Sequence, residues 1–426
     1  MILETTSDRE DQTQRKQRPD KGDGRVLLLK WGEKVLTLLY DGNRLMRASA
    51  SVPEEDVLGN IYIGKVKNVA EGIQAAFVEY MPGKLCFLPL KGGITPVVTN
   101  RKYNGRIVAG DEVAVQICAE SQKEKEARAR ADLSFTGKYV TLIAGRKQVV
   151  FPPGLPEKLK ERLKAFTGRS ALFAQTEKEY GIRFEESVRS LTDLSLLEEE
   201  LEIRKAEADR VYRTIFHRTC FSLLRKSPAV WLENLREYDD ADYTKILTDD
   251  SAIFEETREY LTQYQPSGLQ KLVFYEDDML PLYKLYSVES RLTQALERKV
   301  WLKSGAYLVI EKTEAMTCID VNSGKYTGKK EKEETFFRIN VEAAQEIGRQ
   351  LRLRNISGIV MIDFISMKDA GYNKKLMDRL REIVCGDPVR TTVVDMTPLG
   401  LVEVTRKKEK KSLWEQLNRR AGENRK

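Results

Sequence analysis

Apolar and polar positions alternate along RVLLLKWGEKVLTLLYDGNRLMRASA, beginning at Arg25, as two apolar runs around a Gly-Asn turn, and this pattern predicts a strand meander. From Gly59 the pattern stays extended. NIYIGKVKNVA, IQAAFVEYM, KLCFLPL and DEVAVQICA read as four short strands with Gly or Pro between them, and their spacing of roughly ten residues suggests a small barrel. The polar stretch ESQKEKEARARADLS reads as a hinge. It leads to GKYVTLIAG and RKQVVFPPGL, the amphipathic stretch PEKLKERLKAF, a strand-like SALFAQT, and a charged helix pattern from about Leu191 to Lys226. Helix-like and strand-like pieces alternate from Pro228 to Ala295, and no internal repeat is visible.

The last third has the clearest periodicity. AYLVIEK and AMTCIDV predict strands, EETFFRINVEAAQEIGRQLRLR a long amphipathic helix, GIVMIDF an apolar strand, NKKLMDRLREIVC a second helix, and TTVVDM a final strand. In this β-β-α-β-α-β order the strands flanking each helix are expected to run parallel through right-handed crossovers. Asp320 and Asp363 both fall where an apolar strand ends, at the edge where such sheets bind ligands.

Composition narrows the class. The 426 residues exceed one ordinary core and, being 41% hydrophobic and 32% charged, describe a folded multidomain chain. No run approaches the roughly 18 apolar residues of a membrane span, and residues 1–24 lack a secretory apolar stretch and read as a mobile arm, so a cytoplasmic, non-membrane protein is expected. Five scattered cysteines without a CxxC pair read as small buried hydrophobes, not a disulfide frame or zinc cluster. The single histidine, His217, lies in a helical run as a packed or capping residue, which disfavours His-dependent hydrolase schemes. The net charge of +7 is concentrated in residues 406–426, where nine Lys or Arg face three Glu. That basic tail is either a solvated segment or an electrostatic footprint for nucleic acid.

Chemistry is then expected from carboxylates and amides, with or without a hard metal ion. Two aspartates on adjacent strands suit Mg²⁺ or Mn²⁺, which take oxygen ligands and complete their shell with water or phosphate oxygens. Asn322, two residues beyond Asp320, can orient a carboxylate, and SGKYTGKK after it suits a loop near phosphates. The alternative is that both aspartates are turn or capping residues. In the barrel, Phe77 and Phe87, with Tyr62, Lys65 and Lys67 nearby, either form a base-stacking face or belong to the core.

The stretches GNIYIGKVKNVAEGIQAAFVEYMPGKLCFLPLK, CIDVNSGKYTGKKEKEETFFRINVEAAQEIGRQLRLRNISGIVMIDFISM and PLGLVEVTRKK resemble the bacterial ribonuclease E/G family, over about Arg25 to Lys411. The resemblance implies an α/β multidomain architecture. An RNase H-like subdomain (25–57 and 227–295) would be split by an inserted OB-fold RNA-binding barrel (58–135) and a 5′-sensor-like subdomain (136–226). A DNase I-like α/β catalytic subdomain (296–405) and the basic tail (406–426) would follow. It implies metal-binding Asp320 and Asp363, a catalytic Asn322, and RNA-binding Phe77, Phe87, Lys125 and Arg390. It also implies a 5′-end pocket at Gly137, Gln175 and Thr176.

Departures from the family pattern carry expectations too. No cysteine occupies the stretch after the catalytic subdomain where relatives carry a zinc-binding CPxC, so no zinc is expected and any homodimer is not zinc-linked. Gln175 stands where the family's sensor has an arginine, and Ser366 where an acidic residue usually follows the second metal aspartate. The expected activity is Mg²⁺-dependent endonucleolytic cleavage of single-stranded RNA, in RNA processing or decay, leaving 5′-phosphate and 3′-hydroxyl ends. The rivals are a non-catalytic single-stranded RNA-binding factor and a DNA-directed nuclease.

Overall fold

The computed structural model describes residues 23–418 apart from 54–56, 91–93, 120–125, 146–147, 170–179, 192, 239–240 and 325–331. The opening meander forms as β1 (Gly24–Trp31), β2 (Lys34–Asp41) and β3 (Arg44–Ser51), all antiparallel. Leu27 and Leu29 enter one apolar cluster and Val26 and Leu28 another, so β1 is covered on both faces. That two-sided burial is why its sequence is a nearly unbroken apolar run.

The barrel is closed and OB-like. Its strands are β4 (Ile61–Ala70), β5 (Ala75–Met81), β6 (Lys84–Pro89), β7 (Glu112–Ala119) and β8 (Ala127–Arg130), and β4 pairs with both β5 and β7. The fifth strand lies in the stretch expected to be a hinge. Ala127 and Ala129 point into the core while Arg128 is exposed, so a period-two strand hides behind small inward residues and charged outward ones.

After the barrel come β9 (Ser134–Thr136), β10 (Val140–Ala144), β11 (Val149–Val150), α1 (Glu157–Arg169) and β12 (Tyr180–Phe184), whose strands pair in the order β11-β12-β10-β9. SALFAQT lies outside the described residues. Helix α2 (Ser195–Thr214) packs on this sheet and stops well before Lys226. Beyond it His217 is exposed, neither packed nor a helix cap, and β13 (Leu223–Arg225) pairs with β4 of the barrel. Next come α3 (Val230–Arg236), β14 (Lys245–Thr248), α4 (Ser251–Tyr264) and β15 (Leu272–Phe274). β14 lies parallel to β1 and β15 parallel to β14, so the chain leaves the first sheet after β3 and returns to complete it.

Short helices α5 (Leu282–Leu285) and α6 (Val288–Leu296) precede the last sheet. This comprises β16 (Lys299–Trp301), β17 (Tyr307–Lys312), β18 (Met316–Asn322), α7 (Lys332–Leu353), β19 (Gly358–Asp363), α8 (Ala370–Cys385), β20 (Thr391–Met396) and β21 (Leu401–Arg406). β18 and β19 are parallel neighbours, as expected of a helical crossover. TTVVDM is not the final strand. LVEVTR forms β21 between β19 and β20, antiparallel to both, so those two run in the same direction without pairing. Helices α7 and α8 cover one face of the sheet, burying Ile319, Val321, Val360 and Ile362 beneath Ala343, Ile347 and Leu380.

The basic tail is not wholly solvated. Arg406 is 4% exposed and donates to Asp387 at 2.8 Å. Helix α9 (Leu413–Asn418) packs on β3, with Leu413 fully buried and the Gln416 side-chain oxygen accepting from the Ala50 amide at 2.9 Å. The cysteines also differ from expectation: Cys86 is buried, but Cys118 and Cys385 are exposed. Among the described residues no helix is long and apolar enough to cross a membrane.

Candidate active site and nucleic-acid interface

In β18 the buried Ile319 and Val321 alternate with Cys318, Asp320 and Asn322, so the latter three project from the face that α7 and α8 leave open. β19 repeats the pattern, with Val360 and Ile362 buried and Met361 and Asp363 opposite. Asp320 and Asp363 are direct register partners on these parallel strands. Their backbones are therefore about 4.8 Å apart, and both side chains are on the same open face. The Asn322 amide donates to Asp320 Oδ2 at 2.7 Å, holding that carboxylate in one orientation.

Two exposed carboxylates placed side by side repel by about 1 kcal/mol even in water. Among the described residues neither makes an ion pair, and no third His, Cys, Asp or Glu joins them as a cluster. The donor set is oxygen-only, open and doubly negative, which fits a hard divalent cation with remaining ligands from water or phosphate. Neither aspartate caps a helix; that role belongs to Asp369, whose carboxylate accepts from the Gly371 and Tyr372 amides at the start of α8.

Two supporting residues escape sequence reasoning. Asn340, fully buried on α7, accepts from the Ile365 amide at 3.0 Å and donates to the Ile365 carbonyl at 2.8 Å, pinning the chain two residues beyond Asp363. Its signal was an amide in the apolar stripe of Phe336, Ala343, Ala344 and Ile347. Glu333, in the first turn of α7, accepts from the Lys368 amide at 2.9 Å and fixes the same loop. Gly324, two residues past β18 at φ +62°, sits where a Cβ would come within 2.5 Å of the Gly305 carbonyl, so the chain turns away there only as glycine. The following 325–331, most of SGKYTGKK, lies outside the described residues, and Ser366 is exposed.

On the barrel, Phe77 and Phe87 are register partners whose rings meet edge-on at 5.9 Å. Their neighbours Ala76, Val78, Cys86 and Leu88 are fully buried, so both phenylalanines lie on the outer wall and not in the core. Arg128 stands opposite Phe87 on β8, giving an outward row of two aromatics and a guanidinium that the hinge expectation concealed. Lys65 and Lys67 are exposed, and Lys67 pairs with Glu79 at 3.2 Å. Tyr62 is instead a core residue, 5.3 Å from Tyr80. Lys125 lies outside the described residues.

A separate cleft of about 500 Å³ brings Gly137 and Arg390 together with Lys138, Arg183, Glu185 and Lys407. At Gly137 an added Cβ would run into the Glu200 carboxylate, which accepts from the Tyr139 and Val140 amides, each at 2.9 Å. Burial pushes the Glu200 carboxyl upward, opposed by those amides. Arg183 donates to Glu185 at 3.0 Å, and Thr141 also bonds Glu185. Gln175 and Thr176 lie outside the described residues.

A sequence model of the Ribonuclease E/G family matches residues 134–409, spanning the cleft and the Asp320–Asp363 sheet. Ribonuclease G of Salmonella typhimurium is 31% identical over 372 residues, covering 84% of this chain and 74% of that protein. Ribonuclease G of Escherichia coli K12 is 30% identical over 367 residues, with the same coverage. Ribonuclease E of Haemophilus influenzae is 30% identical over 393 residues, 90% of this chain but 41% of its own length. With a family match across most of the chain and relatives aligned along most of its length, the chain belongs to the ribonuclease E/G family.

Proposed function

We propose that this chain is an endoribonuclease of RNA processing or decay that cuts single-stranded RNA with the help of Mg²⁺, or Mn²⁺ in its place, held by Asp320 and Asp363. The observation that carries the reading is the in-register pair of exposed carboxylates, without a cationic partner among the described residues, on the open face of the last sheet. A divalent ion bound there supplies Lewis acidity toward a phosphodiester and acidifies a water. Asp320 and Asp363 bind and orient; Asn322 keeps Asp320 from rotating. Asn340 and Glu333 hold the loop after Asp363 so that the spacing of the pair does not drift. Hydrolysis with the 3′ oxygen as leaving group yields a 5′-phosphate and a 3′-hydroxyl.

The outward Phe77–Phe87–Arg128 row supplies stacking faces and a phosphate partner for unpaired bases, with Lys125 beside the same barrel in sequence. The cleft at Gly137 and Arg390 would receive the RNA 5′ end, and the family resemblance assigns Gln175 and Thr176 to the same role by sequence. In this reading the meander with β14 and β15 is the RNase H-like subdomain, split by the barrel and the sensor-like sheet, and the last sheet is DNase I-like. Any homodimer forms without shared zinc. The test is a short unpaired RNA and a matched DNA incubated with Mg²⁺ or chelator: internal cuts in RNA alone, only with metal, support the reading. Tight binding without cutting would favour a non-catalytic RNA-binding factor.

A further inference from the structure

The open face of the last sheet carries a second feature that no part of the cleavage reading uses. On the edge strand β16, Val300 packs into the core while Lys299 and Trp301 project to the opposite side. This is the face of Asp320 and Asn322, because the register runs Lys299 to Val309 to Asp320 to Asp363 in one row and Trp301 to Tyr307 to Asn322 in the next. Lys299 is thus two strand spacings, about 10 Å, from Asp320. Trp301 and Tyr307 have ring centroids 5.2 Å apart, and the Lys299 ammonium lies 4.0 Å from the first and 3.7 Å from the second.

Trp301 remains 64% exposed. A large indole left in water beside a second ring and a held cation is unlike the scattered single apolar residues of an ordinary surface. The set has the chemistry that takes a nucleotide: a broad π face for any base and an ammonium for the adjoining phosphate. Its place in the rows decides which nucleotide. A strand with its scissile phosphate at Asp320 and Asp363 that ran along these rows would carry its neighbouring base over Asn322 and Tyr307 toward Trp301.

We propose that Trp301, backed by Tyr307 and Lys299, is a base-stacking subsite for a nucleotide adjacent to the scissile phosphate. The proposal rests on Asp320 and Asp363 being the cleavage centre. Stacking on a single ring tolerates every base, so the subsite would position the strand and favour unpaired segments without reading a sequence.

The experiment uses the full chain and one unpaired RNA, prepared intact and as a series with one abasic nucleotide moved through the positions around the cut. On intact RNA, Trp301→Ala is expected to lower kcat/KM roughly five- to thirty-fold, and Trp301→Phe to retain most of it. One abasic position should impose a similar loss on the wild type and no further loss on Trp301→Ala. Additive losses at every position would overturn the proposal. So would altered sedimentation of Trp301→Ala with unchanged RNA kinetics, which would mark a protein contact. If the wild type cuts no RNA, the cleavage reading fails, and binding in chelator still decides the subsite. Quenching of tryptophan fluorescence by RNA that disappears in Trp301→Phe supports it; equal quenching in both proteins overturns it.

Discussion

Replacing Phe87 with alanine separates a binding wall from a packed core, because the two roles predict different quantities. Phe87 meets Phe77 edge-on at 5.9 Å, and its chain neighbours Cys86 and Leu88, not Phe87 itself, are fully buried. Truncation should therefore cost stability little more than the aromatic pair, about 0.5–1.5 kcal/mol. A core phenylalanine would cost about 3–5 kcal/mol and leave a cavity. Affinity should move further: a base that loses its stacking partner gives up about 1–3 kcal/mol, a factor of about 5 to 150 in Kd. Arg128→Ala should weaken binding too, reducing the slope of log affinity against log salt by about one phosphate contact. The assay is anisotropy of a labelled unpaired RNA in chelator, paired with urea unfolding of the same proteins. A large stability loss in Phe87→Ala with unchanged Kd would refute the outer-wall placement.

Three other outcomes follow from the same geometry. Gly137→Ala should destabilise the sheet beside the cleft by about 1–3 kcal/mol, read by urea unfolding, because its Cβ would displace the Glu200 carboxylate from the Tyr139 and Val140 amides. Burial tends to raise the Asp111 carboxyl, but the Arg101 guanidinium and the Val108 amide outweigh it and hold the group below its ordinary value. Its stabilising contribution is therefore full above about pH 4 and is lost as pH falls through the lowered value, and Asp111→Asn should flatten the acid limb of a melting-temperature profile. Cleavage of 5′-monophosphorylated and 5′-hydroxyl forms of one RNA should differ little, since Arg183 in the cleft is already paired with Glu185; Glu185→Gln should widen the ratio.

What the sequence revealed depended on whether local pattern or pairing carried the information. The carboxylate pair was legible because each aspartate interrupts an apolar strand at its carboxyl end, and parallel crossover topology brings such ends together. Phe77 and Phe87 could not be oriented from periodicity, because apolar residues stand on both faces of their strands, with Ala76, Val78, Cys86 and Leu88 inward and the two phenylalanines outward. ARAR concealed β8 because its buried half is two alanines between exposed or half-buried arginines. LVEVTR does not stand out as a strand beside a dense basic run, although Val402 and Val404 are both fully buried in the sheet. The neighbourhood of Trp301 was invisible for a different reason: it depends on the register of β16 on β17 and β17 on β18, which no single segment encodes.

The central claim is that Asp320 and Asp363 act together on RNA through a bound divalent ion, and the rate of RNA cleavage against Mg²⁺ concentration tests it most directly. The wild type, Asp320→Asn and Asp363→Asn should be compared on one unpaired RNA, with Kd measured for each in chelator. The expected result is metal-dependent turnover in the wild type, its loss in both variants, and RNA affinity nearly unchanged because the barrel is untouched. Wild-type cleavage rates in either variant, or wild-type cleavage that persists fully in chelator, would contradict it.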